Sequence, residues 1–443
     1  MFSKRFFSTA RANLSRSKVS QLSNGILIAS KETSSPTSTI GLYARSGSRA
    51  ENAYNSGVSS LLGRVLANSP QAQEGLIKGV EVTNTNSKEV TGLLASFESG
   101  NEDAAISTLT SIIGGLNTIL KNESLVKEQA AISAKISELF ENDPKKMVIE
   151  HMTATAFQGT SLALPTFGKS ETVETLEALD VESFASKQLV NSNIAIIGSG
   201  ANINHDKLAK LASELSLSAA SKPSVEETSF LGSDVRLRDD TLPKAYVSIS
   251  AKSVGLNDPK FFTALVASKI FGNFEGASSP FSVFESSKLS QFLNENHLVD
   301  SYEHFNLGYS DIGLWGAYLE TSNIPNVDET VHFTLKNWNQ LSTGTITETD
   351  VARAKSLLKL SLLSPVEDSK LTSTNLATDV LLKGHSESAA EIEQLVDSVS
   401  RSNVISFARD YLYDQDIALA GTGQIEALFD YNRIRNDMSS LRW

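Results

Sequence analysis

Cysteine is absent from all 443 residues of the chain. This absence excludes disulfide bonds, thiolate nucleophiles and cysteine zinc sites, and it suits a protein that does not depend on an oxidising compartment. No run of about 18 apolar residues is present, so no membrane-spanning helix is predicted. Basic residues number 39 against 51 acidic ones, which argues against nucleic-acid binding, because phosphate neutralisation needs clustered Lys and Arg.

Acidic residues are also missing from the first 20 positions, and the first acid is Glu32. The same 20 positions contain five bases, Lys4, Arg5, Arg11, Arg16 and Lys18. A basic, Ser-rich segment without a continuous apolar stretch is typical of a mitochondrial transit peptide and not of a secretory signal. We therefore predict that residues 1–20 target the chain to mitochondria. Arg5-Phe6-Phe7-Ser8 resembles an Arg-x-Phe/Ser processing site, but the position of the cut stays open.

The remaining chain contains one pattern twice. An alternating strand at 39–48 is followed by an apolar helix at 57–67, and the same order returns with a strand at 245–252 and a helix at 261–271. Each copy ends in a buried-strand run closed by glycines, Asn193–Gly200 and Asp416–Gly423. Two α+β domains of about 200 residues explain this repeat best.

The predicted domain boundaries follow from the repeat. The N-terminal domain covers 21–215 and the C-terminal domain covers 239–443. They are joined by a Ser-rich linker at 216–238 with little periodicity. In each domain we expect a mostly antiparallel sheet packed with helices, not the regular parallel order of a dinucleotide-binding fold.

Two glycine pairs imitate a dinucleotide-binding loop. Gly198-x-Gly200 and Gly421-x-Gly423 each follow a strand, but the third glycine of the motif is replaced by Ile203 and Glu426, which prevent the close packing of helix on strand. We interpret both pairs as structural turns and predict no cofactor-binding residues.

The segment 40–69 resembles the pitrilysin-type metallopeptidases. In that family a strand ending in Gly-Ser-Arg precedes a helix with His-x-x-Glu-His, whose histidines bind Zn²⁺ while the glutamate activates water. Here Gly47-Ser48-Arg49 is present, but the three chemical positions are Ser60, Gly63 and Arg64.

A further glutamate ligand of that family aligns with Ile136, which has Glu138 and Glu141 as neighbours. The resemblance therefore implies two pitrilysin-type domains with no catalytic residues and no metal. No other metal motif is evident among the six histidines, 151, 205, 297, 304, 332 and 385, which we interpret as solvated or core side chains. A Ser-His-Asp set is not indicated by any local motif and is not excluded by sequence alone.

Zinc-less, two-domain, mitochondrial chains of this kind include the core proteins of the cytochrome bc1 complex. The segments that resemble the core-protein group are Leu22–Ser30, Ser35-Pro36, Gly47–Glu51 and Tyr309–Gly316. The resemblance implies a structural and assembly role without cofactors, in a dimeric multisubunit complex with core protein 1 and the other bc1 subunits. It also implies peripheral attachment, through protein contacts, to the matrix side of the inner membrane.

Two alternatives remain at this point. The α subunit of the mitochondrial processing peptidase is zinc-less too, but its family carries a glycine-rich loop for presequences. The best candidate for that loop, Ile270–Pro280, has only two glycines and a proline. The other alternative is an active peptidase with an unrecognised site.

Overall fold

The computed structural model describes residues 17–215, 217–276, 287–364 and 368–439. The strands are β1 Lys18–Gln21, β2 Leu27–Glu32, β3 Thr37–Ala44, β4 Val80–Asn86, β5 Thr91–Glu98, β6 Ile194–Gly200, β7 Ser233–Arg238, β8 Ala245–Val254, β9 Asn273–Glu275, β10 Ser301–Gly308, β11 Ile312–Thr321 and β12 Ile417–Gly423.

The helices of the N-terminal half are α1 Val58–Ala67, α2 Pro70–Ile77, α3 Glu102–Gly114, α4 Leu116–Leu120, α5 Glu123–Glu141, α6 Pro144–Ala156, α7 Ser170–Glu174, α8 Ala178–Gln188 and α9 His205–Glu214. Those of the C-terminal half are α10 Phe261–Phe271, α11 Lys288–Glu295, α12 Val327–Thr343, α13 Glu348–Leu363, α14 Ser369–Thr378, α15 Ala389–Ser398, α16 Arg401–Tyr411 and α17 Tyr431–Asp437. A π-helical turn, Asp379–Lys383, follows α14. In the described ranges no helix is both long and apolar enough to cross a bilayer.

Two six-stranded sheets organise the chain. The first has the order β1-β2-β6-β3-β5-β4 and the second has the order β7-β12-β8-β11-β10-β9. One pair in each sheet is parallel, β2 with β6 and β7 with β12, and the other neighbouring pairs are antiparallel. The expected α+β architecture with two mostly antiparallel sheets is confirmed.

The internal repeat is visible in strand order and direction. Five strands of the first sheet, β2-β6-β3-β5-β4, correspond one by one to β7-β12-β8-β11-β10 of the second. The glycine-closed strands of the sequence pattern, β6 and β12, occupy equivalent places beside the parallel partner. β1 and β9 are additional edge strands without a counterpart.

Two of the predicted segments end differently in the structure. The last six residues of the predicted linker 216–238 are strand β7, which pairs with β12; charged residues alternate along β7 and hide its apolar periodicity from sequence analysis. The predicted transit segment 1–20 overlaps β1, in which Lys18 pairs opposite Ser30 of β2. The domain boundaries themselves stay predictions.

Each half lends a helix to the sheet of the other half. Helix α6 comes from the N-terminal half but packs on β12, β8 and β7 of the second sheet, while α14 of the C-terminal half packs on β6 and β3 of the first. One sheet face in each half therefore packs on its own helices and the other face packs on the exchanged helix. This exchange buries apolar surface between the halves, which is the main favourable term in such packing.

Hydroxyl groups fasten the exchanged helix α14 to the first sheet. The Tyr43 hydroxyl donates to Ser373 Oγ at 2.8 Å, and Ser199 Oγ donates to the Ser369 carbonyl at 2.5 Å. Tyr43, Ser199, Ser369 and Ser373 are all buried. These hydrogen bonds satisfy polar groups that would otherwise cost free energy inside the interface.

Candidate functional site

Helix α1 carries the three degenerate motif positions and begins at a specially built turn. Gly57 precedes it with φ +95°, a left-handed conformation that favours glycine. The Glu51 carboxylate accepts hydrogen bonds from Gly57 N at 2.7 Å and from Ser59 N at 2.8 Å. Glu51 thereby satisfies free N–H groups at the start of the helix. Its buried position nevertheless raises the pKa of Glu51 to about 7, against the opposing effect of these hydrogen bonds.

The motif positions on α1 present no metal ligand. Ser60 is buried and Arg64 is half-buried. Gly63 faces strand β4, where a Cβ added to it would lie 3.1 Å from Asn84 Cβ. A helix this close to a strand leaves room for glycine but not for a longer side chain without movement of Asn84. Hydroxyl, hydrogen and guanidinium replace imidazole, carboxylate and imidazole.

Helix α5 supplies no ligand either. It packs against α1, with Ile136 half-buried at the position where the family has its glutamate and Glu138 exposed. The Glu141 carboxylate is engaged by Ser170, which donates from its backbone N at 3.0 Å and from its Oγ at 2.7 Å. The family implies a zinc ion, but the chemistry of these residues does not fit one, because catalytic zinc needs three protein ligands of the N, O or S type.

Metal sites elsewhere were sought in the same way. Among the residues that the structure describes, no group of three or more His, Asp or Glu side chains is placed to hold a metal ion. His297 lies in a turn after α11, whereas His304 lies on β10, so the two do not share a helix face.

His304 is a core histidine, as interpreted from the sequence. Trp338 Nε1 donates to His304 Nε2 at 2.6 Å, which makes Nε2 the acceptor and places the ring proton on Nδ1. Phe271 stacks on the ring with centroids 4.7 Å apart. Complete burial holds the pKa of His304 well below its usual range, so the ring stays neutral at physiological pH.

The two glycine pairs have a steric explanation. Gly200 has φ +137°, and a Cβ on it would lie 2.6 Å from the Ser38 Cα; Gly423 has φ +82° and would place a Cβ 2.2 Å from the Lys244 carbonyl oxygen. Both glycines therefore allow a close backbone approach at a strand end. Ile203, which stands where a dinucleotide motif needs glycine, is buried in the core of the first half.

A buried ion cluster joins the two halves, and sequence analysis did not anticipate it. Arg49 donates from Nη1 to Asp311 Oδ1 at 2.8 Å and from Nη2 to Asp311 Oδ2 at 2.6 Å. It also donates to Glu89 Oε1 at 2.8 Å and to Thr228 Oγ1 of the linker at 2.7 Å. Ser310 N and Oγ donate to the Glu89 carboxylate.

The cluster unites two motifs that were noted separately. Gly47-Ser48-Arg49 provides its cation and Tyr309-Ser310-Asp311 one of its anions; their opposite charges were the only available sign of the pairing. Burial alone would lower the pKa of Arg49, but the hydrogen bond and charge of Asp311 and the charge of Glu89 raise it. Burial opposes the effect at Asp311 too, yet Arg49 lowers the pKa of that carboxyl.

Comparison with known proteins places this architecture in a family. Residues 27–170 match the insulinase family, peptidase family M16, and residues 175–358 match the peptidase M16 inactive domain. A mitochondrial cytochrome b-c1 complex reductase subunit from Candida albicans is 40% identical over 96% of this chain and 95% of its own. The chain therefore belongs to peptidase family M16.

Within the family, the similarity is to subunits of cytochrome bc1 complexes. Cytochrome b-c1 complex subunit 1 of Saccharomyces cerevisiae is 39% identical over 99% of this chain and 97% of its own. A chain in the solved structure of Complex III2 from Candida albicans is 38% identical and has a TM-score of 0.90, with 95% of this chain and 99% of that chain covered. The resemblance to the bc1 core-protein group is confirmed.

The comparisons also bear on the finer alternatives. The sequence resemblance favoured core protein 2, whereas the yeast relative is a subunit 1. The mitochondrial-processing peptidase β subunit of Lentinula edodes is 33% identical over 96% of the chain. Similarity to the processing peptidase is thus weaker than to the bc1 subunits, and it is to a β subunit, not to the α subunit that was the alternative.

Proposed function

We propose that the chain is a non-catalytic core subunit of the mitochondrial bc1 complex, with a structural and assembly role. The observation that carries this proposal is the combination of 39–40% identity to bc1 subunits over nearly the whole chain with a motif helix that offers hydroxyl, glycine and arginine in place of the zinc ligands. A zinc peptidase mechanism has no ligands to start from. Electron transfer would belong to other subunits, because redox cofactors need ligands of the Cys or His type.

The partner is proposed to be the other core subunit, together with the remaining bc1 subunits. The sequence resemblance implied core protein 2 with core protein 1 as partner; the yeast similarity instead favours the subunit 1 position, which would make the other core protein the partner. Attachment to the matrix side of the inner membrane would run through protein contacts. The buried Arg49 cluster supports a scaffold role, since it fixes the two halves and the linker to one another.

Co-purification tests the proposal directly. The tagged chain is extracted from mitochondrial membranes in mild detergent, and the subunits that remain with it are identified. We expect a haem-containing bc1 assembly with the other core subunit in equal amount. Recovery of a soluble heterodimer with a zinc-bearing partner would instead support the processing-peptidase alternative. The loop argument for that alternative lies partly outside the described residues, since 277–280 are not among them.

A further inference from the structure

Arg64 is the only residue of α1 that is not buried, and it differs from the other arginines that the structure describes. Each of the other nine contacts a carboxylate, a hydroxyl, a carbonyl or an aromatic ring of the chain. In the described ranges, Arg64 has no such partner for its guanidinium. Its Nε is sealed from solvent and makes no hydrogen bond.

An arginine in this state is costly to the isolated chain. Burial lowers the pKa of Arg64, and no neighbouring acid raises it. A partly buried charge without a partner loses hydration and gains nothing in return. The position is also the one at which the M16 family places a zinc ligand, so this helix face carries a positive charge although it cannot hold the metal.

We propose that Arg64 pairs with a carboxylate of a neighbouring protein subunit in the assembled complex, a proposal that rests on the function proposed above. The planar guanidinium fork matches a carboxylate in bidentate geometry. A lipid headgroup is a poorer match, because anionic membrane surfaces are recognised by clusters of about four to eight bases. Arg64 is isolated in the sequence: the preceding base, Arg49, is consumed in the buried cluster, and the next is Lys78.

The first test compares Arg64→Met with the wild type in the purified complex. Loss of one member of a buried interfacial ion pair should speed dissociation of this chain about 30-fold or more, measured as its release at increasing salt. Arg64→Lys, which keeps the charge but loses the fork, should be intermediate. Lys78→Met, at an exposed base, is the matched control and should dissociate like the wild type.

Stability of the chain itself separates an interface role from an internal one. Because Arg64 has no partner within the described residues, Arg64→Met should leave the unfolding midpoint of the chain unchanged or raise it. A lowered midpoint that parallels the faster dissociation would overturn the proposal, since Arg64 would then stabilise the fold.

Photo-crosslinking identifies the partner. With p-benzoylphenylalanine at position 64, we expect an adduct to another bc1 subunit within reach of an Asp or Glu. An adduct to lipid, an adduct within the chain, or no adduct would contradict the inference. Failure of the wild-type chain to co-purify with bc1 subunits would refute the proposed function itself, whereas equal retention of wild type and Arg64→Met would refute only this inference.

Discussion

Arg49 holds its charge where water hardly reaches it, with a side chain that is 4% exposed. Its two carboxylate partners come from β5's preceding loop and from the turn before β11, so the ion cluster joins segments more than 200 residues apart in sequence. Breaking a buried pair leaves an uncompensated charge, which costs far more than loss of a surface pair.

Replacing Arg49 with Met should therefore destabilise the chain strongly. We expect the free energy of unfolding to fall by about 3–5 kcal/mol, measured by urea unfolding. The matched control is Arg238→Met, which removes an ion pair with Asp240 at the surface and should cost less than about 1 kcal/mol. Equal losses in the two variants would show that the cluster adds no more than a surface pair.

Glu51 gives the chain a pH dependence near neutrality. Its pKa is raised from 4.5 to about 7 in the folded chain, so the folded state binds the proton more tightly than the unfolded state. The contribution to stability is full below about pH 4.5 and is lost as pH rises through 7. For this group alone the loss amounts to about 3 kcal/mol.

Glu51→Gln should flatten this dependence between pH 5 and 8 in unfolding experiments. Glu138→Gln, at an exposed position of α5, is the control and should keep the wild-type slope. An unchanged slope in Glu51→Gln would mean that the hydrogen bonds from Gly57 and Ser59 hold the carboxylate ionised throughout.

Secondary structure elements whose burial pattern is local were predictable from the sequence. Strand Val80–Asn86 and helix Phe261–Phe271 have the predicted bounds. The helix expected at 104–120 is divided where Gly114 and Gly115 make continuous helix costly. The helix expected at 396–412 is likewise divided, at Ser400, which forms a capping box.

Elements whose burial depends on distant partners were not predictable. Helix α14 is rich in Ser and Thr, and its sequence resembles a solvated segment until the first sheet, more than 160 residues away in sequence, accepts it. The candidate site shows the same division: Ser60, Gly63 and Arg64 were located by local spacing, whereas the pairing of Arg49 with Asp311 depends on tertiary structure alone.

Restoring the motif on α1 should not restore a metal site. The variant Ser60→His, Gly63→Glu, Arg64→His supplies two imidazoles, but Ile136 still offers no third ligand, and catalytic zinc needs three. The new glutamate would also press against Asn84. We expect less than stoichiometric zinc by elemental analysis and no cleavage of a presequence peptide.

Two comparisons make that experiment decisive. The wild-type chain, with no ligand at these positions, should also lack stoichiometric zinc. Adding Ile136→Glu to the triple variant tests whether the third ligand alone was missing, and should increase zinc retention. Zinc-dependent cleavage by the triple variant would contradict the prediction and show that the rest of the site is intact.

At the scale of the whole molecule, β1 limits where the transit segment ends. Ser20 in β1 hydrogen-bonds His205 Nε2 at 2.8 Å, so a cut after residue 20 would remove most of an ordered edge strand. We expect the mature mitochondrial form to begin before Lys18, as determined by N-terminal sequencing. A mature form that begins at Met1 would contradict targeting by this segment, and one that begins after Gln21 would contradict retention of β1.

The exchanged helices should make the two halves depend on each other. A fragment ending at 215 lacks α14 and leaves one face of the first sheet uncovered; we expect it to aggregate or bind hydrophobic dyes. Co-expression with the fragment 217–443 should restore a soluble complex by size-exclusion chromatography. A soluble, cooperatively unfolding fragment 21–215 on its own would show that the exchange is dispensable.

The same exchange sets an order of events during synthesis and import. The first sheet is complete once β6 has emerged, but the helix that covers its second face follows only after a further 168 residues, since β6 ends at Gly200 and α14 begins at Ser369. A chain that enters mitochondria from its N-terminus therefore carries an exposed apolar sheet for most of its passage. Such surface aggregates unless it is held, so folding of this chain should wait for chaperones until translocation is nearly finished.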